Sequence, residues 1–186
     1  SVTDGEYRRE TFHADFLSKI EGIESNFVFD KALQVGDDNK EGSDKVTPYV
    51  PIIVDTMRRP AGGIEVENFK YLNSLTQRTA KLCVPSPTMT HFRGGRDAIS
   101  LDAYPEMEGF FADLAQLYRA ELADLGAAGC RYVQFDDTTL ASLCDQQMRP
   151  GARAHGADAD ELPRTYAALI HASLPAPPPA LPATPP

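Results

Sequence analysis

Two adjacent aspartates close the apolar segment that is the strongest candidate for a catalytic strand. Asp136 and Asp137 follow the run Tyr132 to Phe135, and Gly129 precedes it. A short apolar run that ends in acids is typical of a buried parallel strand, whose carboxyl end delivers side chains to an active face. The same two acids could instead cap the turn after the strand. Residue type alone gives these two interpretations equal weight.

A proline-rich segment after another apolar run carries further side chains suited to acid-base or ligand-binding chemistry. Residues 80–84 predict a strand, and residues 85–96 predict a stiff loop at its end. The polar side chains of this loop are Ser86, Thr88, Thr90 and His91. The imidazole of His91 titrates near neutral pH, which makes it a candidate acid, base or ligand contact. A lone histidine in a loop is more often a hydrogen-bonding scaffold group, so both roles stay open.

Two arginines follow a third apolar run, residues 50–55. Arg58 and Arg59 could bind an anionic substrate tail such as a polyglutamate. Arginines after a strand more often pair with nearby acids, and this is the favoured interpretation.

The three cysteines have no CxxC spacing. An odd number of isolated cysteines predicts reduced thiols in a cytoplasmic protein. Cys83 and Cys130 fall in predicted strands, where cysteine is most simply a small core residue. Cys144 falls nearer the mouth of the predicted site, but one cysteine and one histidine do not make a zinc site.

Hydrophobic periodicity alternates between the helical and the strand pattern, which predicts an α/β fold. The helical pattern covers residues 8–22, 65–78, 107–127 and 161–174. The strand pattern covers residues 26–30, 50–55, 80–84 and 132–135. Residues 36–45 predict a hairpin tip, and residues 146–160 predict a loop. The proline- and alanine-rich residues 175–186 predict a disordered or polyproline tail.

Charge and hydropathy argue against two classes of partner. The chain has 186 residues, of which 42% are hydrophobic and 24% charged, and its net charge is −9. Nucleic-acid binding needs clustered lysine and arginine, which this balance disfavours. No apolar run approaches the roughly 18 residues of a membrane span. We therefore expect a globular protein that binds neither nucleic acid nor membrane.

Three motifs resemble, in the same order, those of cobalamin-independent methionine synthases and their single-domain relatives. Residues 132–140 resemble the fifth-strand motif of that family, residues 2–17 its second-strand motif, and residues 84–91 its fourth-strand loop. The resemblance implies a barrel of eight strand-helix units that is active at the carboxyl ends of its strands. A complete barrel needs about 250 residues. We therefore expect residues 1–174 to form a partial TIM barrel that lacks the first strand and the last three.

The resemblance also implies a reaction. Family members transfer a methyl group from 5-methyltetrahydropteroyl(poly)glutamate to homocysteine, whose thiol is activated by zinc. Glu6 and Asp136 match the two carboxylates that contact the ammonium group of homocysteine. Paired carboxylates at the ends of neighbouring strands suit such a cation. Ser86 and His91 are further candidate substrate contacts.

Departures from the family pattern leave the substrate and the metal open. Asp137 and Thr138 stand where methionine synthases have glutamate and proline, so a different thiol substrate remains an alternative. The zinc ligands of the family include a His-x-Cys pair, which this sequence lacks. We therefore assign no metal ligand in this chain.

The second hypothesis is a noncatalytic fragment or a binding half. The Gly-Ser-aromatic-Pro loop of the family's first strand is missing from this sequence, as is the His-x-Cys pair. The tail then reads as a product of truncation or of a changed reading frame, with a genuine proline linker as the alternative. The open edges of a partial barrel would favour self-association.

Overall fold

The computed structural model describes residues 1–9, 11–26, 49–146, 149–154 and 158–176. Within these residues the chain is a mixed α/β protein with two two-stranded sheets and no closed barrel. The strands are β1 (Glu21–Asn26), β2 (Val50–Arg58), β3 (Leu82–Pro85) and β4 (Val133–Asp136). The helices are α1 (Ala14–Leu17), α2 (Val66–Ser74), α3 (Met89–Phe92), α4 (Met107–Ala127), α5 (Thr139–Cys144), α6 (Arg149–Ala154) and α7 (Leu162–Ser173), with a 3-10 turn at Gly95–Ala98.

Three chain segments run parallel to one another and end on the same side. β3 pairs with β4 from Leu82 opposite Val133 to Pro85 opposite Asp136. On the other side of β3, the amide of Val2 donates to the carbonyl of Thr79 at 3.0 Å, and the amide of Lys81 donates to the carbonyl of Val2 at 2.8 Å. The resulting order is Val2, β3, β4. Because the segments are parallel, the residues after each of them meet at one edge.

β2 lies outside this parallel arrangement. It pairs antiparallel with β1, with Ile23 opposite Ile53. Only one of its faces is buried, and Val54 is 43% exposed on the other. The strand predicted at residues 50–55 is confirmed by β2, which is buried on one face rather than two. Most of the predicted strand 26–30 and all of the connector 36–45 lie outside the described residues.

The predicted helix over residues 8–22 is reduced to α1. Gly22 explains the change, since its φ of +86° is open to glycine and a Cβ there would lie 2.7 Å from the carbonyl oxygen of Thr56. The chain at Gly22 is thus docked against β2, and pairing with that strand overrides the helical pattern. Phe16, Leu17 and Ile20 still enter the core, as their spacing predicted.

The core is organised around α4, whose predicted bounds are confirmed. Its inward face carries residues at helical spacing, namely Phe110, Leu114, Leu117, Tyr118 and Leu125. α7 packs along α4 and adds the buried side chains of Tyr166 and Leu169. The helix predicted at residues 161–174 is confirmed by α7. Among the described residues, no helix combines the length and apolar character needed to cross a bilayer.

Two further boundaries differ from the prediction. α2 ends at Ser74, which leaves Leu75 66% exposed rather than inward-facing. The loop predicted over residues 146–160 contains α6, and α5 follows β4 directly. Helix α6 is tied down by Arg149, whose guanidinium donates to the carbonyl of Leu143 and pairs with Asp160.

A buried carboxylate on α4 fixes the entry to α2. Glu121 is 1% exposed and accepts hydrogen bonds from the amides of Ile64 and Glu65 at 2.8 and 2.7 Å. Its partner charge is Arg59, at 2.9 Å. These two amides lie at the start of α2 and have no partner within the helix, so the carboxylate satisfies them. Its negative charge also interacts favourably with the positive end of the helix dipole.

The segment after β3 is helical and buried, not an open loop. Residues 89–92 form α3, and Thr88, Thr90 and His91 are all at most 5% exposed. His91 Nδ1 lies 2.7 Å from the hydroxyl of Tyr166 and links α3 to α7. The rings of Phe110 and Phe111 enclose the imidazole. Burial lowers the pKa of His91 to about 4.

Replacing Glu121 by alanine should lower the free energy of unfolding by about 3 kcal/mol or more, because two buried amides lose their acceptor and Arg59 loses one of its two carboxylate partners. Urea unfolding followed by circular dichroism measures the change. The control is Glu108→Ala on the exposed side of the same helix, for which we expect less than about 1 kcal/mol. Equal small effects in the two variants would contradict this role for Glu121.

The buried, neutral imidazole of His91 should make stability depend on pH. Its folded-state pKa of about 4 lies below the ordinary value of 6.5, so the unfolded chain binds more protons between these values. The contribution of the neutral His91 imidazole to the free energy of unfolding is complete above pH 6.5. It is lost as the pH falls towards 4, and the total loss is roughly 3 kcal/mol.

As the pH falls from 6.5 to 4, we expect the free energy of unfolding of the wild type to decrease. That of His91→Gln should decrease less steeply. Urea titrations at a series of pH values measure both slopes. A His91 ring that titrates near 6.5 in the folded protein, observed by NMR, would show this account to be wrong.

Candidate functional site

Two acidic side chains and a thiol converge at the shared edge of the parallel segments. Glu6 follows Val2, Cys83 belongs to β3, and Asp136 ends β4. One carboxylate oxygen of Glu6, the Sγ of Cys83 and one carboxylate oxygen of Asp136 lie within 4.8 Å of one another. Both carboxylates are partly exposed, and the Glu6 side chain retains 28% of its accessible surface. The strand order thus brings together the two residues that the sequence singled out.

The turn that carries Glu6 is held in an unusual backbone conformation. Gly5 has φ +67° and Glu6 has φ +57°, the one positive value at a non-glycine among the described residues. The amide of Glu6 donates to Asp4 Oδ1 at 3.1 Å, and Asp4 pairs with Arg8 at 2.8 Å. A left-handed conformation at a glutamate costs roughly 1–2 kcal/mol and is typical of residues that the surrounding structure holds for function.

Arg9 fastens this turn to β3. Its side chain is 3% exposed, and its Nη2 donates to the carbonyl of Cys83 at 3.1 Å. The same guanidinium lies 3.8 Å from Glu6 and 3.7 Å from the fully buried Glu65. Glu65 also pairs with Lys19 at 3.2 Å. Arg9 belongs to a charged run whose residue types alone suggest a solvated or loop-facing edge, but its guanidinium is the buried partner of two carboxylates.

Asp136 is positioned by β3 and by its own strand. The amide of Ser86 donates to the carbonyl of Asp136 at 2.9 Å, which extends the ladder between β3 and β4 by one bond. Gln134 Nε2 donates to Asp136 Oδ1 at 2.5 Å. The neighbouring acid behaves differently, since Asp137 Oδ1 accepts the amides of Thr139 and Leu140 at the start of α5. Asp137 therefore caps the turn, and Asp136 stays directed at the site.

The charge and spacing of this group suit a small cation. Glu6 and Asp136 bring two negative charges, and the positive charges near the group are those of Lys81 and of Arg9, the latter shared with Glu65. An ammonium nitrogen that makes two charged hydrogen bonds of about 2.8 Å at tetrahedral angles holds their acceptors about 4.6 Å apart. The carboxylate oxygens of Glu6 and Asp136 lie within 4.8 Å of each other, a limit that allows this spacing. The site can therefore accept a primary ammonium group from solvent.

The described residues do not fit the zinc ion that the resemblance implies. Glu6, Cys83 and Asp136 are the one group of three potential ligands in the described part of the chain. The group contains no imidazole, and burial together with the charge of Asp136 raises the pKa of Cys83. A zinc that activates a thiol needs thiolate and imidazole ligands. The Glu6 carboxylate also lies beside Arg9, a cation that would repel the metal.

Ser86 and His91, the other two predicted substrate contacts, are placed in the interior. Ser86 is fully buried, and its hydroxyl accepts a hydrogen bond from Thr88 Oγ1 at 3.2 Å. His91 is 5% exposed and bonded to Tyr166. Neither side chain is presented by an open loop: Ser86 is buried before α3, and His91 on α3 packs against α4 and α7. A direct contact between substrate and either residue stays a prediction.

The two arginines after residues 50–55 have protein partners. Arg59 pairs with Glu121 at 2.9 Å and with Asp124 at 2.5 Å. Arg58 lies 3.3 Å from Glu21 across the β1–β2 pair. These contacts agree with the interpretation that both arginines pair with nearby acids.

Sequence reasoning missed Arg9 and the placement of Cys83. Arg9 stands in a run of charged residues that reads as a solvated face, and its pairing with Glu65 spans a distance in sequence that no local pattern reveals. Cys83 is buried, as a core cysteine should be, yet its Sγ faces the two carboxylates. The alternation of side chains along a strand could have indicated this placement of Cys83. Cys83 lies opposite Gln134 in the β3–β4 register, and Asp136 is two residues further along the same strand face.

Comparison with known proteins gives relatives at the level of sequence. No protein-family model matches the chain. Two proteins of Bacillus subtilis (strain 168), the uncharacterized proteins YxjH and YxjG, are 34% and 30% identical over 172 and 176 residues. These alignments cover 91% and 93% of the chain but 42% and 43% of the relatives. The chain thus spans less than half the length of these relatives.

Solved structures give the clearest relationship. The chain is similar to a candidate vitamin-B12-independent methionine synthase from Listeria monocytogenes, with a TM-score of 0.68 and 28% identity over 97% of this chain and 46% of that one. A B12-independent methionine synthase from Shewanella sp. W3-18-1, solved with selenomethionine, has a TM-score of 0.61, with 23% identity over 92% of this chain and 42% of that one. The second likeness shows the fold alone. The chain therefore shares the fold of methionine-synthase-like domains.

Proposed function

We propose that the chain supplies the amino-acid-binding part of a zinc-dependent methyltransferase. The reaction transfers a methyl group from a methylated folate to the thiol of homocysteine, with another thiol as the alternative acceptor. The observation that carries the proposal is the approach of the Glu6 and Asp136 carboxylates at the end of the parallel segments. The similarity to methionine-synthase-like structures supports the reaction class.

In this proposal the described residues bind and orient the substrate. Glu6 and Asp136 accept hydrogen bonds from the ammonium of the amino acid, and Arg9 holds the Glu6 turn in place from behind. Ser86 contributes through its backbone amide, which fixes the end of β4. Methyl transfer forms a bond between the substrate sulfur and the methyl carbon while the bond from that carbon to the folate nitrogen breaks. Fixing the ammonium restricts the thiol to positions from which it can attack.

The barrel architecture is part of the same proposal. The parallel order of Val2, β3 and β4, with site residues at their carboxyl ends, is what a segment of a TIM barrel would have. β4 is half-exposed, with Gln134 in contact with solvent, although strands of a closed barrel are buried on both faces. Further strands beside β4, from a longer chain or from a second copy, would complete the arrangement. Self-association through this edge is therefore included in the proposal.

The second candidate function is binding without turnover. It is favoured by the ligand chemistry of the site, because the described residues give no thiolate and imidazole set for zinc. Zinc ligands would then have to come from outside this chain. In that case the chain binds the amino acid by itself and transfers no methyl group.

We expect homocysteine to bind the wild-type chain and to bind about tenfold or more weakly to Asp136→Asn and Glu6→Gln, because each variant removes one charged hydrogen bond to the ammonium. NMR-monitored titration measures the dissociation constants. An analogue without the amino group, 4-mercaptobutanoate, should show no difference between the wild type and the variants.

The matched control is Asp102→Asn, at an exposed aspartate in the turn before α4. We expect it to leave the affinity for homocysteine unchanged. Homocysteine that fails to bind the wild type, or that binds all four proteins equally, would contradict the proposal. Methyl transfer by the chain alone would instead overturn the version without turnover.

A further inference from the structure

A pocket whose lining does not include Glu6 or Asp136 carries a positive charge instead of their negative ones. It has a volume of about 160 Å³ and lies between the segment after Arg9, helix α3 and helix α5. Its apolar wall consists of Phe12, Met89 and Phe92. Its polar wall consists of the guanidinium-bearing Arg93 and the hydroxyl-bearing Thr138, Thr139 and Ser142. At about 30 Å³ for each water, this space has room for a compact organic anion.

Arg93 is the charged group of this pocket, and it has no protein partner among the described residues. The hydrogen bonds and ion pairs of the described chain involve the neighbouring arginines Arg9, Arg59 and Arg96 but not Arg93. Burial lowers the pKa of Arg93, which records the cost of desolvating its charge. A partly buried guanidinium without an anion is unfavourable, and proteins normally pair it.

The backbone that carries Arg93 is fixed against β2. A Cβ at Gly94 would lie 2.3 Å from the Cβ of Ala98 and 3.1 Å from Cγ1 of Val50. This close packing holds the end of α3 in place. The guanidinium is therefore presented by a rigid segment, which favours a built site over a mobile surface arginine.

His13 is a second polar side chain near this pocket without a partner. It is 7% exposed, and neither Nδ1 nor Nε2 has a hydrogen bond within the described residues. Burial lowers its pKa to about 4, and the positive charge of Arg93 adds to this effect. Its ring lies 4.7 Å from that of Phe12, which lines the pocket. Buried polar groups without partners indicate a ligand or water that completes them.

From these observations we propose that the Arg93 pocket binds the anionic group of a small ligand, a carboxylate or a phosphate joined to a compact apolar part. Arg93 supplies the charged hydrogen bonds. Thr138 and Ser142 bring hydroxyls to the same wall, and the rings of Phe12 and Phe92 contact the apolar part. The pocket is separate from the Glu6 and Asp136 carboxylates, and it does not depend on the function proposed for them.

The test uses benzoate and inorganic phosphate as probes of the two anion sources, titrated into the whole chain by NMR. We expect at least one of them to bind the wild type and to shift the ring resonances of His13. Binding of benzoate alone identifies a carboxylate ligand, and binding of phosphate alone identifies a phosphate ester. Failure of both probes to bind the wild type would overturn the proposal.

Arg93→Gln should weaken the binding of the anion about tenfold or more, since a charged hydrogen bond is lost. Arg93→Lys keeps the charge, so its affinity for the anion should lie between those of the wild type and Arg93→Gln. This variant guards against a general effect of the substitution on folding. The matched control is Arg78→Gln, which removes one positive charge at an exposed position outside the pocket. Unchanged affinity in Arg93→Gln would refute the assignment. Asp136→Asn should bind the anion like the wild type, which separates this test from the amino-acid site.

Discussion

The contact of Arg9 with β3 is the interaction on which the candidate site depends. Glu6 lies in a turn with two consecutive positive φ values, and such a turn needs an external restraint to stay in one conformation. Arg9 provides it by donating to the carbonyl of Cys83 while its charge faces Glu6 and Glu65. Burying a guanidinium costs desolvation free energy, which is offset only when its partners are held in place. The carboxylate of Glu65 has this fixed position at the start of α2, where the amide of Glu65 is in turn held by Glu121.

This arrangement connects the core to the site through a chain of carboxylates and guanidiniums. Arg59 and the amides before α2 fix Glu121, the start of α2 fixes Glu65, and Glu65 helps to fix Arg9. The Arg59–Glu121 and Arg9–Glu65 links are charged contacts at largely buried positions, where the low dielectric constant strengthens them. Asp136 is positioned separately, by the ladder between β3 and β4. Both carboxylates are therefore positioned against β3, Glu6 through Arg9 and Asp136 through the strand ladder.

The sequence was most informative where a long, regular pattern coincided with the final packing. Helix α4 has its predicted bounds because its apolar face is continuous along its 21 residues. The placement of Asp136 at a strand end followed from the apolar run before it, and the proximity of Glu6 followed from the parallel order that the motifs implied. The role of the pair in binding substrate stays a prediction.

Other features depended on contacts between residues distant in the chain. The helical pattern of residues 8–22 gave way to β1 because Gly22 packs against the backbone of β2. The polar loop expected after β3 became α3, whose His91 finds Tyr166 seventy-five positions later. Arg9 and Arg93 look alike as charged residues in short polar segments. Their burial, and the presence or absence of a partner, is decided by elements that no local pattern brings together.

The most direct test of the central claim is a crystal structure of the chain with homocysteine. The account predicts that the ligand's ammonium nitrogen lies about 2.7–2.9 Å from a carboxylate oxygen of Glu6 and from one of Asp136. It also predicts that Arg9 keeps its hydrogen bond to the carbonyl of Cys83. A structure in which the amino acid binds elsewhere, or in which the Glu6 turn has moved away from β4, would contradict it.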